Sequence, residues 1–220
     1  MNNIYNIKMI DKLKANDLNH DFVVKTVLVG DSSVGKTNLL MRFTENKFSE
    51  EKKPTMGVEF GATIMTTNDK LVKVQVWDTA GQEKYKSITN SYYINAKGAL
   101  VIFDLARKQS FDSTEKWIKD LKDVAGKDCT MILVGNKNDL VDQREVSLEE
   151  CNNKAESFGL QYMETSALNG NNVKETFQLL ADSIYKNYLS NINMNDEEEF
   201  IKSYKLTDDN KDKKDDGCKC

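Results

Sequence analysis

A glycine-rich segment near the start of the chain has the composition of a loop that binds phosphate groups. It reads GDSSVGKT, follows an apolar stretch and opens a stretch with helical periodicity. Gly30 and Gly35 allow the backbone to turn successive N–H groups inward, Lys36 adds a positive charge, and the helix N-terminus adds its dipole. The pattern predicts a phosphate loop, but alone it does not separate an ATPase, a kinase and a GTPase. The predicted phosphate-binding residues of this loop are Gly30, Asp31, Ser32, Ser33, Val34, Gly35, Lys36, Thr37 and Asn38.

Two oxygen-bearing side chains are candidates for holding the magnesium ion that accompanies such a loop. Thr37 supplies a hydroxyl at the first turn of the predicted helix, and Asp78 stands at the end of a predicted strand. Magnesium takes few protein oxygens and keeps several waters, so a hydroxyl and a distal carboxylate are sufficient. Taken alone, a strand-end aspartate is more often a cap or a turn residue.

A third polar segment carries hydrogen-bonding groups that suit guanine. The segment NKND, which ends at Asp139, directly follows an apolar stretch of strand length. A carboxylate can accept hydrogen bonds from both the ring N–H and the exocyclic amine of guanine, whereas adenine offers no such pair. The alternative is an ordinary polar turn, and a four-residue match does not decide between the two.

The run DTAGQ that begins at Asp78 resembles a switch segment of the Ras superfamily. The resemblance implies that the Gly81 N–H contacts the terminal phosphate and that Gln82 is the catalytic residue, which orients the attacking water. Upstream, the segment FSEEKKPT is similar to the first switch of that family. It implies that Phe48 packs against guanine and that Thr55 binds magnesium and the terminal phosphate in the triphosphate state.

The resemblance extends to the guanine site and covers about residues 22–188. It implies that Asp139 selects the base, that Asn136 ties loops together and that the Lys137 stem stacks on the base and ribose. The later segment ETSAL resembles the family motif that contacts the guanine oxygen through the Ala167 backbone, with Ser166 bracing the loop. The guanine-binding residues implied in this way are Phe48, Asn136, Lys137, Asp139, Ser166, Ala167 and Leu168.

Several segments resemble the Rab branch rather than Ras, Rho, Ran or Arf, namely residues 55–60, 77–89 and 91–93. At the C-terminus, Cys218 and Cys220 are similar to a Rab double-geranylgeranyl site and do not fit the single-cysteine C-a-a-X form. Solvent-exposed thiols or half of a metal site are the alternatives, but no partner cluster of Cys and His accompanies them. One lipid chain binds a membrane marginally and two bind it stably. From Leu189 onward the chain has six Lys against nine Asp and Glu, so it adds no polybasic attraction.

The Rab resemblance implies a GTP-hydrolysing switch in vesicle traffic that binds GTP or GDP together with Mg²⁺. The magnesium ligands would be Thr37, Thr55 and Asp78. The implied partners are effectors on the face of the two switches, an exchange factor, a GTPase-activating protein, an escort protein, a GDP-dissociation inhibitor and a membrane reached through two geranylgeranyl groups. We expect a monomer with no nucleic-acid partner, located on the cytoplasmic face of an intracellular membrane and cycling through the cytosol.

The sequence departs from the family pattern at two places that bear on hydrolysis. Ser32 and Ser33 are bulkier than glycine beside the phosphates, and residues 84–86 read KYK instead of the commoner RFR. No internal arginine is evidently placed as a finger, so we expect dependence on an activating protein. Two other hypotheses remain. One is a nucleotide-gated binding module with negligible turnover. The other is a P-loop ATPase or kinase, which is disfavoured because the Asp139 carboxylate suits the hydrogen-bond donors of guanine and not adenine.

The elements that must position these residues alternate between strands and helices. Apolar runs predict strands over residues 23–29, 58–65, 71–77, 99–104, 131–135 and 161–164, five of them buried and one short; three- and four-residue periodicity predicts helices over 36–45, 111–124, 148–158 and 173–185. Ser110 and Ser147 are predicted N-caps. Because a polar turn links the second and third strands, these two should pair as an antiparallel hairpin at the sheet edge. The expected fold is the α/β P-loop NTPase three-layer sandwich, with a six-stranded, mostly parallel sheet and about five helices.

Composition sets the limits of the folded unit. The 220 residues carry a formal charge of −4, which calls for no polyanionic partner, and they contain no apolar run long enough to span a membrane and no secretory signal. We expect residues 1–21 to be a polar extension, 22–188 a G domain, and 189–220 a disordered tail. Cys129 and Cys151 should pack as small hydrophobic residues in a reducing compartment.

Overall fold

Six strands and five complete α-helices alternate along the part of the chain that the computed structural model describes, which comprises residues 20–51, 55, 57–79, 91–126 and 128–190. The strands are β1 (Phe22–Val29), β2 (Val58–Thr67), β3 (Lys70–Thr79), β4 (Gly98–Asp104), β5 (Thr130–Asn136) and β6 (Gln161–Thr165). The helices are α1 (Lys36–Glu45), α2 (Lys108–Asp112), α3 (Thr114–Ala125), α4 (Leu148–Phe158) and α5 (Val173–Ser190), with a short 3₁₀ helix at Val141–Gln143.

The strands form one mixed sheet in the order β2-β3-β1-β4-β5-β6, and only the β2–β3 pair is antiparallel. The predicted edge hairpin is therefore confirmed. Its tip is a two-residue turn in which Asn68 and Asp69 both have positive φ, 46° and 61°. Asn and Asp tolerate this left-handed conformation better than most residues do, and the resulting turn matches the twist of the strands. The predicted fold class is confirmed.

Helices cover both faces of the sheet because side chains alternate along the buried strands. On β4, Leu100 and Ile102 belong to the hydrophobic cluster beneath α1 and α5, whereas Val101 and Phe103 belong to the cluster beneath α3 and α4. The thiols of Cys129 and Cys151 are buried and unpaired by disulfides, as predicted, and both lie in the second cluster.

Two helix predictions and one burial prediction are wrong in detail. Ser110 does not cap a helix; it lies inside α2, where its hydroxyl donates to the Arg107 carbonyl at 2.7 Å. The predicted helix over 111–124 starts earlier and is interrupted at Ser113. There the Ser113 and Thr114 hydroxyls donate to the carbonyls of Gln109 and Phe111, at 3.0 and 2.6 Å, and so compete with the regular backbone ladder.

The other N-cap prediction is confirmed. Ser147 forms a reciprocal capping box with Glu150 at the start of α4.

At the sheet edge, β2 is not buried as predicted; only Gly61, Met65 and Thr67 are buried along it. An edge strand in an antiparallel pair has one lateral side and much of one face open to water, which explains the difference.

Part of the sequence-based prediction falls on residues outside those that the structure describes. These are Gly81 and Gln82 in the second switch, the N-terminal extension through residue 19, and residues 191–220 with Cys218 and Cys220. Among the described helices, none has both the length and the apolar character required to cross a bilayer.

Candidate functional site

The phosphate loop lies at the carboxyl end of β1, where the strand order reverses between β3 and β4. Ligands of open α/β sheets bind at such a point. Gly30 and Gly35 have φ values of 143° and 99°, and Ser33 has 65°. A Cβ atom at Gly30 would lie 2.1 Å from the Ile102 carbonyl oxygen, and one at Gly35 would lie 2.4 Å from the Asn136 amide nitrogen. Both glycines are therefore required by conformation and by space.

Lys36 is a buried cation held by the loop itself. Its Nζ donates to the carbonyl oxygens of Gly30 and Asp31, at 2.8 and 2.9 Å. Burial lowers the pKa of the ammonium to about 8, while the charges of Asp78 and Asp31 oppose that change. Lys36 stays largely protonated at neutral pH, and among the described residues no carboxylate forms an ion pair with it. A buried charge whose hydrogen bonds all go to neutral oxygens is unfavourable, so the loop is suited to receive an anion.

Three oxygen-bearing side chains that could serve as metal ligands meet beside this cation. The Thr37 hydroxyl donates to Asp78 Oδ2 at 2.5 Å and lies 2.9 Å from the Thr55 hydroxyl. Because Thr37 has only one hydroxyl proton, Thr55 must be the donor in the second bond. Asp78 is fully buried, and its Oδ1 has no hydrogen-bond partner among the residues that the structure describes. Burial raises the pKa of the carboxyl to about 6 against the opposing effects of Lys36 and Thr37. This all-oxygen set with an unsatisfied carboxylate oxygen fits Mg²⁺.

Two side chains that were not predicted from the sequence hydrogen-bond to residues 31 and 32 of the phosphate loop. Trp117 on α3 donates its indole N–H to Asp31 Oδ1 at 2.8 Å, and Arg107 donates to the Ser32 carbonyl at 2.8 Å. Because the peptide is planar and trans, a Ser32 carbonyl that points toward Arg107 directs the Ser33 N–H in the opposite direction. No sequence pattern indicates these contacts, since Trp117 has the spacing of an ordinary residue on the apolar face of a helix.

Asn136 joins three segments at the guanine side of the site. It is buried, and its amide donates to the Val34 carbonyl at 2.8 Å. Its Oδ1 accepts from the Thr165 hydroxyl at 3.1 Å and from the Ala167 N–H at 3.3 Å. One amide thus connects the phosphate loop, the end of β6 and the loop that follows β6.

The remaining guanine-site candidates surround Asn136. Lys137, with φ of 67°, donates to Asp104 Oδ2 at 2.6 Å. Asp139 is half-buried, and its carboxylate makes no hydrogen bond within the described part of the chain. Ser166 is buried and accepts from the Asn169 N–H at 3.2 Å, which closes the loop after β6. The exposed Leu168 follows in that loop.

Two further candidates, Asn38 on α1 and Phe48, lie where the first switch begins. Asn38 exchanges hydrogen bonds with the Ser49 backbone, donating to its carbonyl and accepting from its N–H, both at 3.0 Å. The Asn38 amide therefore holds this segment against α1. Phe48 is half-buried and packs against the hydrophobic cluster beneath α1 and α5.

Comparison with known proteins decides the family. A model of the Ras family matches residues 25–186. The chain belongs to the Ras family. It is 47% identical over 167 residues to the GTP-binding protein ypt3 of Schizosaccharomyces pombe, an alignment covering 76% of this chain and 78% of that protein. It is 48% identical over 166 residues to the Ras-related protein RABA6a of Arabidopsis thaliana, covering 76% and 71%. It is 47% identical over 172 residues to the Ras-related protein Rab-11A of Dictyostelium discoideum, covering 78% and 80%.

These relatives identify the chain as a Rab small GTPase. The region of similarity contains both the phosphate loop and the loop after β6, so the whole site described above lies within it. Among the candidates, the structure brings together Lys36, Thr37, Thr55 and Asp78 on one side and Asn136, Ser166 and Ala167 on the other.

We expect Gly35→Ala to destabilise the protein by roughly 2–4 kcal/mol and to abolish tight GDP binding, because the new methyl group displaces the Asn136 amide from Val34. Gly159→Ala is the matched control: Gly159 also has a left-handed conformation, with φ of 67°, but its added Cβ meets nothing within 4 Å. It should cost only the conformational strain, roughly 1–2 kcal/mol. Urea denaturation and GDP titration of both variants measure the difference, and equal losses would show that crowding at Asn136 has no effect.

Proposed function

We propose that this Rab small GTPase binds GTP and GDP at the described site and hydrolyses GTP, acting as a switch in intracellular membrane traffic. The observation that carries the proposal is the buried Lys36 cation beside the oxygen cluster of Thr37, Thr55 and Asp78. A cation with inward N–H groups binds the nucleotide phosphates, and a nearby oxygen set holds a divalent ion. Together these features suit a nucleoside polyphosphate with Mg²⁺.

Magnesium would be held by Thr37, Thr55 and Asp78, and would supply positive charge that neutralises the phosphate oxygens. The Asp78 carboxylate, now accepting from the Thr37 hydroxyl at 2.5 Å, is the charged member of this set. The backbone N–H groups of residues 30–38 would contact the phosphates. Thr55 is the member that belongs to the first switch, so its hydroxyl links that segment to the phosphate site.

Selection of guanine would rest on the two loops that follow β5 and β6. Asp139 would accept from the ring N–H and the exocyclic amine. The Ala167 N–H, which makes a long 3.3 Å bond to Asn136 Oδ1, would be shared with the purine oxygen in a three-centre hydrogen bond. The Lys137 stem and Phe48 would pack against the base. Asn136 keeps the two loops in register through its contacts with Thr165 and Ala167, supported by Ser166 and Leu168 in the second loop.

Hydrolysis would depend on Gln82, which orients the attacking water, and on Gly81, whose N–H contacts the terminal phosphate. Their contribution is positioning rather than covalent chemistry. Ser32 and Ser33 would place side chains bulkier than glycine beside the phosphates. A GTPase-activating protein that supplies an arginine would raise the rate by a factor on the order of 10³–10⁵.

The nucleotide state would control which proteins bind. With triphosphate bound, the two switches present a surface for effectors; an exchange factor restores that state after hydrolysis. Residues 22–188 would form this G domain, residues 1–21 an extension, and residues 189–220 a tail that carries geranylgeranyl groups on Cys218 and Cys220. An escort protein and a GDP-dissociation inhibitor would handle the lipidated form between cytosol and the cytoplasmic face of the target membrane.

We expect Gln82→Leu to lower the single-turnover rate of GTP hydrolysis at least tenfold, because leucine cannot orient the water. Gln143→Leu, the same substitution on the exposed 3₁₀ helix, is the control and should leave the rate unchanged. If both variants hydrolyse GTP at the wild-type rate, Gln82 has no catalytic role. A separate assay measures multiple-turnover GTP hydrolysis by the wild-type protein with candidate activating proteins. Negligible hydrolysis there would identify the protein as a nucleotide-gated binding module instead.

We expect Asp139→Asn to weaken GDP binding roughly 10²-fold and to shift preference toward xanthine nucleotides, since an amide presents a donor where guanine needs an acceptor. Asp142→Asn, three residues away and exposed, is the matched control. Competition binding with GDP, XDP and ADP measures the change. A variant that keeps its preference for guanine would contradict the role of Asp139.

We expect prenylated protein with a single cysteine, Cys218→Ser or Cys220→Ser, to bind vesicles weakly and reversibly. One lipid chain gives only marginal membrane affinity, and two chains anchor stably. The double variant should stay in solution. Vesicle co-sedimentation measures the three proteins against wild type and Lys219→Ala, and binding of the double variant equal to wild type would rule out lipid attachment at these cysteines.

A further inference from the structure

The guanidinium group of Arg42, on α1, lies between the C-terminal end of that helix and the loop after β6. Nε donates to the Ala167 carbonyl at 2.9 Å and Nη2 to the Leu168 carbonyl at 2.7 Å. Nη1 donates to the Asn46 carbonyl at 2.9 Å and to its side-chain oxygen at 3.1 Å. All three nitrogens are therefore used, and every acceptor is a neutral oxygen.

This arrangement differs from that of an ordinary surface arginine. Such a side chain usually pairs with a carboxylate, and an exposed pair contributes little. Within the described part of the chain Arg42 has no carboxylate partner. Its three nitrogens reach the Ala167 and Leu168 carbonyls and Asn46 at the same time, and the single nitrogen of a lysine could not bond to both the loop and the end of α1 in this way. The loop geometry, rather than a charge pair, thus determines where this side chain lies.

The loop after β6 is hydrogen-bonded to Asn136 on one side and to Arg42 on the other. On the inner side the Ala167 N–H donates to Asn136, and on the outer side the Ala167 carbonyl accepts from Arg42. Gly170, with φ of 85°, ends the loop so close that an added Cβ would lie 3.5 Å from the Arg42 Cδ atom. Arg42 thereby fixes the peptide that joins Ala167 to Leu168, directly after the peptide whose N–H is assigned above to the purine oxygen.

Arg42 also connects this loop to the phosphate site. It lies on the helix that begins at Lys36 and Thr37, about one and a half turns further along. Through Arg42, the helix that carries the phosphate-binding residues is bonded to the loop that contacts the base. When the segments that bind the phosphates and the base are already bonded to each other, less loop entropy is lost on nucleotide binding, and the nucleotide dissociates more slowly.

We propose that Arg42 is a positioning residue that holds the base-contacting loop against the phosphate-loop helix and so slows the release of guanine nucleotide. The inference rests on the proposed function, since it assumes that the Ala167 N–H contacts the purine oxygen. It assigns to Arg42 no contact with the nucleotide.

The test compares GDP with 2-aminopurine riboside 5′-diphosphate, which lacks the purine oxygen and also the ring N–H assigned to Asp139. Because the Arg42 hydrogen bonds go to Asn46, Ala167 and Leu168 and not to the Asp139 loop, the Asp139 share of the preference should be the same in every variant. In Arg42→Met, GDP release should be at least tenfold faster, and the preference for GDP over the analogue should narrow several-fold. Arg42→Lys keeps the charge and the aliphatic stem but has one donor atom, so it should show a large part of the same defect. It also carries the test if the methionine variant does not fold.

Asn46→Gly is the matched control, because it removes one Arg42 contact at the end of α1, keeps the left-handed conformation (φ of 53° in the native chain), and leaves both loop contacts in place. Its GDP release should stay within about twofold of wild type. Equal weakening of both nucleotides, or an equal defect in Asn46→Gly, would reduce Arg42 to a general structural role. Wild-type release rates in both arginine variants would overturn the inference alone, whereas a wild-type protein that binds no GDP would overturn the proposed function as well.

Discussion

A positive charge buried at the carboxyl end of β1 is the constraint on which the rest of the site depends. The Lys36 ammonium lies in the loop with two carbonyl oxygens as its acceptors, and burial lowers its pKa to about 8. Close by, burial raises the pKa of the Asp78 carboxyl to about 6. Both shifts disfavour the charged forms, so the folded chain keeps two ionisable groups in an environment that penalises them. A phosphate with a divalent cation would compensate both charges at once.

Such a site requires a rigid surrounding structure, and the chain supplies it largely with hydrogen bonds to neutral backbone groups. Asn136 connects the phosphate loop to the end of β6, Trp117 and Arg107 hold residues 31 and 32, and Arg42 holds the loop after β6. These contacts come from both layers of helices, since Arg42 lies on α1 and Trp117 on α3. Thr55 of the first switch reaches this surface through its hydroxyl, 2.9 Å from that of Thr37. A fixed binding surface of this kind is one of the two parts that a switch requires.

The sequence predicted the sheet well because buried parallel strands have continuous apolar runs that few other structures share. It failed where local polar chemistry competes with a regular element. Ser110 satisfies the usual description of a cap but lies inside α2, and the Ser113 and Thr114 hydroxyls interrupt a helix whose apolar periodicity is continuous. Those outcomes depend on which carbonyl each hydroxyl reaches. Burial of β2 was overestimated because an apolar composition does not tell which strand lies at the edge.

The sequence by itself determined the chemistry of the site: a glycine-flanked lysine, a threonine and a strand-end aspartate for phosphate and metal, and the order of motifs that places the chain among the Rab proteins. These are local properties, carried by residue types and by spacing within a single loop. Only the tertiary structure decided which residues hold those loops in place. Arg42 meets the Ala167 carbonyl across 125 positions, and Trp117 meets Asp31 across 86. The Arg42 contact leaves no motif because any residue type provides a backbone carbonyl, and the Trp117 contact leaves none because donor and carboxylate are so far apart in the sequence.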